Sequence, residues 1–324
     1  MTKLPICISR ANNGYLLYGL PYSILAASGR HRNWIEHNYL EPISYINVDG
    51  DVCVEYMDAS TYAGRTLEDD PIQYTAYTDA DITDLRKFVQ QHIANGEYLL
   101  VFADEYFIPH SSLSNKMHYL HDVLIYGFGD NDVEYVTLSE NDRYENFSFS
   151  YSQLEQAINA GVALKPTHAT ASWLTGVRVF SAKLKQDVPS VDPLESKLIN
   201  YRCGRYSEKT EKISRCYDIV SEVWDGIDVT LPFINMVMEY KNYYMAHVPL
   251  AGVHSLYECK LHIFELLMNI SDARALAYRE SVLKPCKIVE LLMLKQQKRR
   301  IPEWECIWMQ YRKSYKNECD LLLT

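Results

Sequence analysis

Apolar and polar positions follow the clearest pattern between Glu97 and Asn141, EYLLVFADEYFIPHSSLSNKMHYLHDVLIYGFGDNDVEYVTLSEN. Residues 98–103 form a short apolar run rich in β-formers and predict a buried strand. A loop with Pro109 and a serine tract follows. Residues 123–128 predict a second strand. Gly129-Asp130-Asn131-Asp132 is turn chemistry, and 133–138 predict a third strand.

Helical spacing frames this block. Ile82, Leu85, Phe88, Val89 and Ile93 fall on one stripe, with Thr78 as N-cap, Asp79 and Asp81 in the first turn and Gly96 as the stop. A helix is expected from Leu20, with Pro21 in its first turn, to a close before Gly29. A further helical turn or two is expected at 33–40. Residues 43–57 predict one or two strands about Asp49-Gly50-Asp51. Residues 4–9 suit a short strand or an extended arm. Residues 58–78 and 181–189 are polar and irregular. Residues 150–160 predict an amphipathic helix. Helices are then expected at about 194–202, 207–224, 230–246, 253–281 and 282–322, with apolar spacing that suits a bundle. The fold class is α+β: helices and a mostly antiparallel sheet over 1–165, then a helical domain over 166–324.

The length of 324 residues allows two domains. Hydrophobic residues make up 48% and charged residues 23%, enough apolar material for sizeable cores. A net charge of -10 argues against a nucleic-acid binder, because phosphate contacts need a basic face. The N-terminus lacks the apolar core of a signal peptide, and no run is long enough for a membrane span, so a cytoplasmic location without membrane partners is expected. The eight cysteines are scattered with no CxxC pair, which argues for buried free thiols rather than zinc or redox motifs. His110, His118 and His121 lie close together but lack metal-site spacing, so neither a metal nor a cofactor is expected. Gly127-Phe128-Gly129 lacks the third glycine of a dinucleotide loop and reads as a turn. Lys295, Lys298, Arg299 and Arg300 suit a solvated helix end or a docking patch for an acidic partner.

His121 and Asp122 open the second strand, where a rigid sheet can aim a reactive side chain. If Phe128 pairs with Val133, then Ile125 faces Val136, Val123 faces Leu138, and His121 lies opposite Glu140. A carboxylate there would fix the imidazole tautomer and raise its basicity. A surface pair without function is the other reading, and a one-residue slip would undo the pairing.

Several stretches carry a family resemblance. They are Ser23-Ile24-Leu25, Asn33-Trp34-Ile35, 104–109 (DEYFIP), 121–128 (HDVLIYGF) and 232–241 (PFINMVMEYK). Together they resemble the butirosin biosynthesis protein H N-terminal-like family, which has a papain-like cysteine-peptidase fold and is associated with nonribosomal-peptide and other natural-product biosynthesis. The resemblance implies a papain-like first domain and an acyltransferase that forms amides. A cysteine thiolate would take the acyl group from a phosphopantetheine thioester on an acyl or peptidyl carrier protein and pass it to an amine. His121 would be the general base, Glu140 its orienter and Cys7 the candidate nucleophile. Asn13, Tyr15 and Asp104 would line the substrate groove, between the two domains.

The chain departs from the family at the expected nucleophile position, about residues 15–17, where no cysteine stands. Cys7 lies upstream, and Cys53 reads as a core thiol. Two other readings stay open: a catalytically silent relative that binds a carrier protein or peptide, and a thioester or peptide hydrolase. The oligomeric state, a homodimer included, also stays open.

Overall fold

The structure, a computed structural model, describes residues 1–8, 16–30, 42–46, 52–56, 71–139, 143–164, 179–186, 198–199, 201–202, 224–235, 250–297 and 304–323. In chain order the elements are β1 (Thr2–Lys3), α1 (Leu16–Ala27), β2 (Pro42–Ile46), β3 (Val52–Tyr56), β4 (Ile72–Tyr77), α2 (Leu85–Ala94), β5 (Tyr98–Asp104) and β6 (Leu120–Phe128). Next come β7 (Asp132–Leu138), β8 (Tyr144–Ser150), α3 (Tyr151–Leu164), β9 (Val179–Leu184) and β10 (Trp224–Asp225). The chain then runs through α4 (Leu250–Ile270), α5 (Asp272–Tyr278), a π turn (Arg279–Leu283), α6 (Lys284–Gln297) and α7 (Trp304–Leu323). The class is mixed α+β, and the sheet pairs are antiparallel. The chain divides into two compact units, residues 1–34 with 60–189 and residues 35–59 with 190–324. The first therefore runs past 165, and the 35–59 segment counts with the second.

The first unit is built on a seven-stranded sheet in the order β4-β9-β5-β6-β7-β8, with β1 added to β6. One face packs under α2 and α3: Leu99, Val101 and Ala103 of β5 and Val123 and Ile125 of β6 meet Leu85, Val89, Ile93, Leu154 and Ile158. The alternate residues Leu100, Phe102, Leu124 and Tyr126 fill the other face and are also buried. Helix α1 packs along β6 and β7. Its buried Leu20, Ile24 and Leu25 stand outside the α2/α3 cluster, so α1 covers that second face.

Several expectations change. Helix α1 begins at Leu16 rather than Leu20, and Pro21 lies inside it. Helix α2 is capped by Asp84, whose side chain accepts from Lys87 N at 3.0 Å. Thr78 instead closes a separate short turn, its N–H and hydroxyl both donating to Asp81 at 2.7 Å. Gly96 ends the helix as expected, at φ +78°, where a glycine is unstrained. Strands β4 and β9 lie in segments that read as polar and irregular. Pairing with each other, and of β9 with β5, supplies what their own pattern does not.

The hairpin register also changes. Phe128 does pair with Val133, but Ile125 pairs with Tyr135 and Leu124 with Val136. Tyr126 is an extra residue, a β-bulge opposite Glu134, which offsets the upstream part of β6 by one position. The bulge also switches the numbering of the faces: even-numbered Phe128 packs against the α2/α3 cluster, and upstream of Tyr126 the odd-numbered residues pack on that same face. Glu140, expected opposite His121, lies outside the described residues.

In the second unit β10, β2 and β3 form a small sheet, and β3 packs under α4. A Cβ on Gly252 would lie 2.1 Å from the Val52 carbonyl, so only glycine lets α4 approach so closely. The π turn leaves carbonyls without regular helical partners. Ser314 Oγ donates to Val282 O at 3.1 Å and Asn317 Nδ2 to Ser281 O at 3.0 Å, so α7 supplies the missing donors. The expected helices at 207–224 and most of 230–246 fall outside the described residues.

Candidate functional site

Strand β5 ends in two adjacent carboxylates, Asp104 and Glu105, and each holds one imidazole. Glu105 starts a single 3-10 turn and is 2% exposed. Its Oε1 is hydrogen-bonded to His121 Nδ1, and its Oε2 accepts from Ser111 Oγ at 2.7 Å. Strand pairing brings this about: His121 sits across from Ala103, two residues before Glu105. The His121 side chain is 26% exposed, and no hydrogen bond from the described residues occupies its Nε2. An imidazole held at Nδ1 by a buried carboxylate is fixed in orientation and presents Nε2 outward. Burial favours the neutral ring. The Glu105 hydrogen bond and charge, with the charge of Asp122, act the other way and prevail, so the His121 pKa lies above the ordinary imidazole value. Burial first, then the charges of Glu105 and Asp122, hold the Tyr119 phenol above its usual range.

Asp104 holds the second imidazole. Its Oδ1 accepts from Tyr106 N at 3.1 Å and Tyr119 N at 3.2 Å, and its Oδ2 pairs with His118 Nδ1 at 2.6 Å. His118 is 55% exposed and stacks on Tyr106 with ring centroids 4.3 Å apart. Both carboxylate oxygens of Asp104 are therefore engaged within the fold, and the residue itself is buried.

The loop between the two strands is tightly held. Tyr135 Oη donates to Pro109 O at 2.6 Å, and His110 stacks on Phe147 at 4.6 Å. His110 and Asn115 both take left-handed backbone, at φ 65° and 55°. Such strain in non-glycine residues persists only where the surroundings over-determine it. Ser111 is buried, makes a bridge with Ser139, and accepts from Leu113 N at 3.2 Å. The order of this set matters. Ser111 donates to the carboxylate rather than to the imidazole, so it is not a serine nucleophile activated by histidine.

Cys7 is exposed and free. Leu4 N donates to Tyr126 O and Cys7 N to Ser23 O at 3.1 Å, so the arm leaves β6 and runs to α1. Leu4 thus meets β6 five residues, roughly 17 Å of strand, from His121. Cys7 is fastened to the helix on one sheet face, while alternation sets His121 on the other. The structure does not bring the two together. Asn13 and Tyr15, like Glu140, lie outside the described residues.

Glu105 and Ser111 were not singled out from the sequence, and His118 was weighed only with His110 and His121 as a metal group. Pairing β5 with β6, instead of β6 with β7, would have pointed to Glu105. Among the described residues no group of three or more His, Cys, Asp or Glu side chains could hold a metal ion, and no helix is long and apolar enough to cross a membrane. No protein-family model matches the chain, and no curated protein matches it.

Proposed function

We propose that the chain transfers an acyl group from a phosphopantetheine thioester on a carrier protein to an amine, with His121 as general base and Glu105 as its orienter. The carrying observation is the buried Glu105 on His121 Nδ1, which leaves Nε2 directed outward. In this reaction the amine nitrogen forms a bond to the thioester carbonyl carbon. Its proton passes to Nε2, the C–S bond breaks, and the thiolate leaves and takes up the proton. The separation of Cys7 from His121 favours direct attack by the amine over an acyl-cysteine intermediate. Papain-like ancestry remains part of the proposal and accounts for a histidine at the start of a central strand. The same separation supports a second reading, a scaffold that binds a carrier protein without chemistry.

The test incubates the protein with acyl-N-acetylcysteamine thioesters and a panel of primary amines, and follows amide formation by mass spectrometry. His121→Ala and Glu105→Gln are each expected to lower the rate by about 10²-fold or more. An acyl group trapped on Cys7 would return the reaction to the covalent route. Amide formation at equal rates in all three proteins would remove His121 from the chemistry. Absence of amide, with tight binding of a carrier protein, would favour the scaffold.

A further inference from the structure

Glu105 can orient His121 only while its own carboxylate is held in place, and a buried polar group is costly unless its oxygens are hydrogen-bonded. Ser111 meets this need. Its hydroxyl donates to the oxygen of Glu105 that His121 does not use, at 2.7 Å. The hydroxyl is itself aimed, because Leu113 N donates to it and so directs its proton toward the carboxylate. Ser111 is held in place from both sides, by the left-handed His110 before it and by the bridge to Ser139.

We propose that Ser111 is a positioning residue for His121, holding Glu105 turned toward the imidazole through a hydroxyl that substrate never touches. This deepens the reading of His121 as general base and rests on it for its meaning in catalysis.

The charged and titratable surroundings are few. Glu105 faces His121 from the 3-10 turn, and Asp122 acts from the same strand. The Tyr119 ring stands edge-on, 5.7 Å from the His121 ring. Helix α3 comes closest to this level at Gly161, and its stretch 158–164 carries no ionisable side chain. In the loop, Lys116 Nζ is turned away to Ser112 O and His110 lies on Phe147. Just past strand β7, Ser139 is present through its bridge with Ser111.

The sign of the effect follows from the two states of the pair. With the imidazole charged, Glu105 and His121 together are neutral. With it neutral, one negative charge remains in the buried place. The Ser111 dipole stabilises that charged state more, so the hydroxyl eases loss of the pair's last proton. Ser111→Ala is therefore expected to raise the midpoint of His121 titration by about half to one unit, from the usual strength of a hydrogen bond to a charged group.

The experiment is an NMR titration of the imidazole Cε1–H signals of the whole chain, without substrate. The chain has ten histidines, and His121 is assigned by the signal missing in His121→Gln. Ser111→Cys, close in volume but a weak donor, is expected to give a smaller upward shift, and it decides the matter if the alanine variant does not fold. A matching displacement of the acid limb of the amide-forming rate is expected toward higher pH. Unchanged midpoints in both variants would overturn the proposal and leave Ser111 a turn residue. A shifted midpoint in a protein that forms no amide would leave the proposal standing and sink the acyl-transfer reading alone.

Discussion

A buried lysine ammonium is stable only if its neighbours replace the water it has lost. Lys260 and Glu318 are both fully buried, and their ion pair is 2.7 Å long. Lys260 also donates to Tyr201 Oη at 2.7 Å, while Glu318 accepts from the Tyr201 and Tyr278 hydroxyls. Every partner lies on another helical segment, so the cluster ties the second unit together. Burial disfavours the ammonium, but the charge of Glu318 outweighs it and raises the Lys260 pKa. Lys260→Met is expected to cost about 3–5 kcal/mol in urea unfolding, because Glu318 is left as an uncompensated buried charge. The double variant with Glu318→Leu is expected to recover most of that loss, and a double variant no better than the single would refute this account. At the same scale, the proposed base His121 was legible because it stands at the start of an apolar strand. Glu105 was not, because its role depends on a pairing across a 15-residue loop that local pattern does not encode.

At the scale of elements, helix α3 lies unusually close to β5. A Cβ built on Gly161 would lie 2.8 Å from the Phe102 carbonyl and 3.1 Å from the Ala103 Cα. Backbone cannot yield as a flexible side chain can, so Gly161→Ala is expected to destabilise the first unit by about 1–3 kcal/mol. The measurement is thermal or urea unfolding, and an unchanged midpoint would show that the helix moves freely over the sheet. Ala103 stands across from His121, so the same variant is expected to disturb the Glu105–His121 signal in the NMR spectrum. The α2 stripe was legible because its buried residues Leu85, Val89 and Ile93 recur at helical spacing. Its cap was misread because Thr78 and Asp84 both suit a helix start, and Asp81 claims Thr78 first. Strands β4 and β9 were hidden because their residues answer to each other across about a hundred positions rather than to a local alternation.

For the molecule as a whole, acidity bears on one unit through His254. Its Nδ1 pairs with Glu290 of α6 and its Nε2 lies 3.1 Å from Glu258 of α4. Burial lowers the His254 pKa, but the two carboxylates raise it more, to about 10. A group raised in the folded state stabilises fully below its unfolded pKa of about 6.5 and loses that contribution as pH climbs through the folded value. Unfolding free energy is therefore expected to fall by roughly 2–3 kcal/mol between pH 7 and pH 9.5, the cost of burial being already contained in the folded value. His254→Gln is expected to flatten that slope, and an identical slope in the variant would place the pH dependence elsewhere. The helical character of the 250–323 region was legible from its apolar spacing. The addition of β2 and β3 to that unit was not, because a segment's partner two hundred residues away leaves no mark in its own pattern.

The bulge at Tyr126 has a bearing on what can be inferred from any chain built this way. One residue is looped out of the ladder and works as a parity bit: Ile125 and Phe128, three positions apart, still face the same side. Delete that residue and plain alternation from Phe128 would leave His121 on the side it now occupies. Keep it but pair the strand without a bulge, and His121 would point toward α1, while Asp122 would take its place beside Glu105, with no change in the identity of either. The side of the sheet on which His121 stands is thus written in the residue count and the bulge together. Two chains with the same HD motif and the same count, one bulged and one not, would carry their imidazoles on opposite faces. A matched motif alone would then align residues that never share an environment.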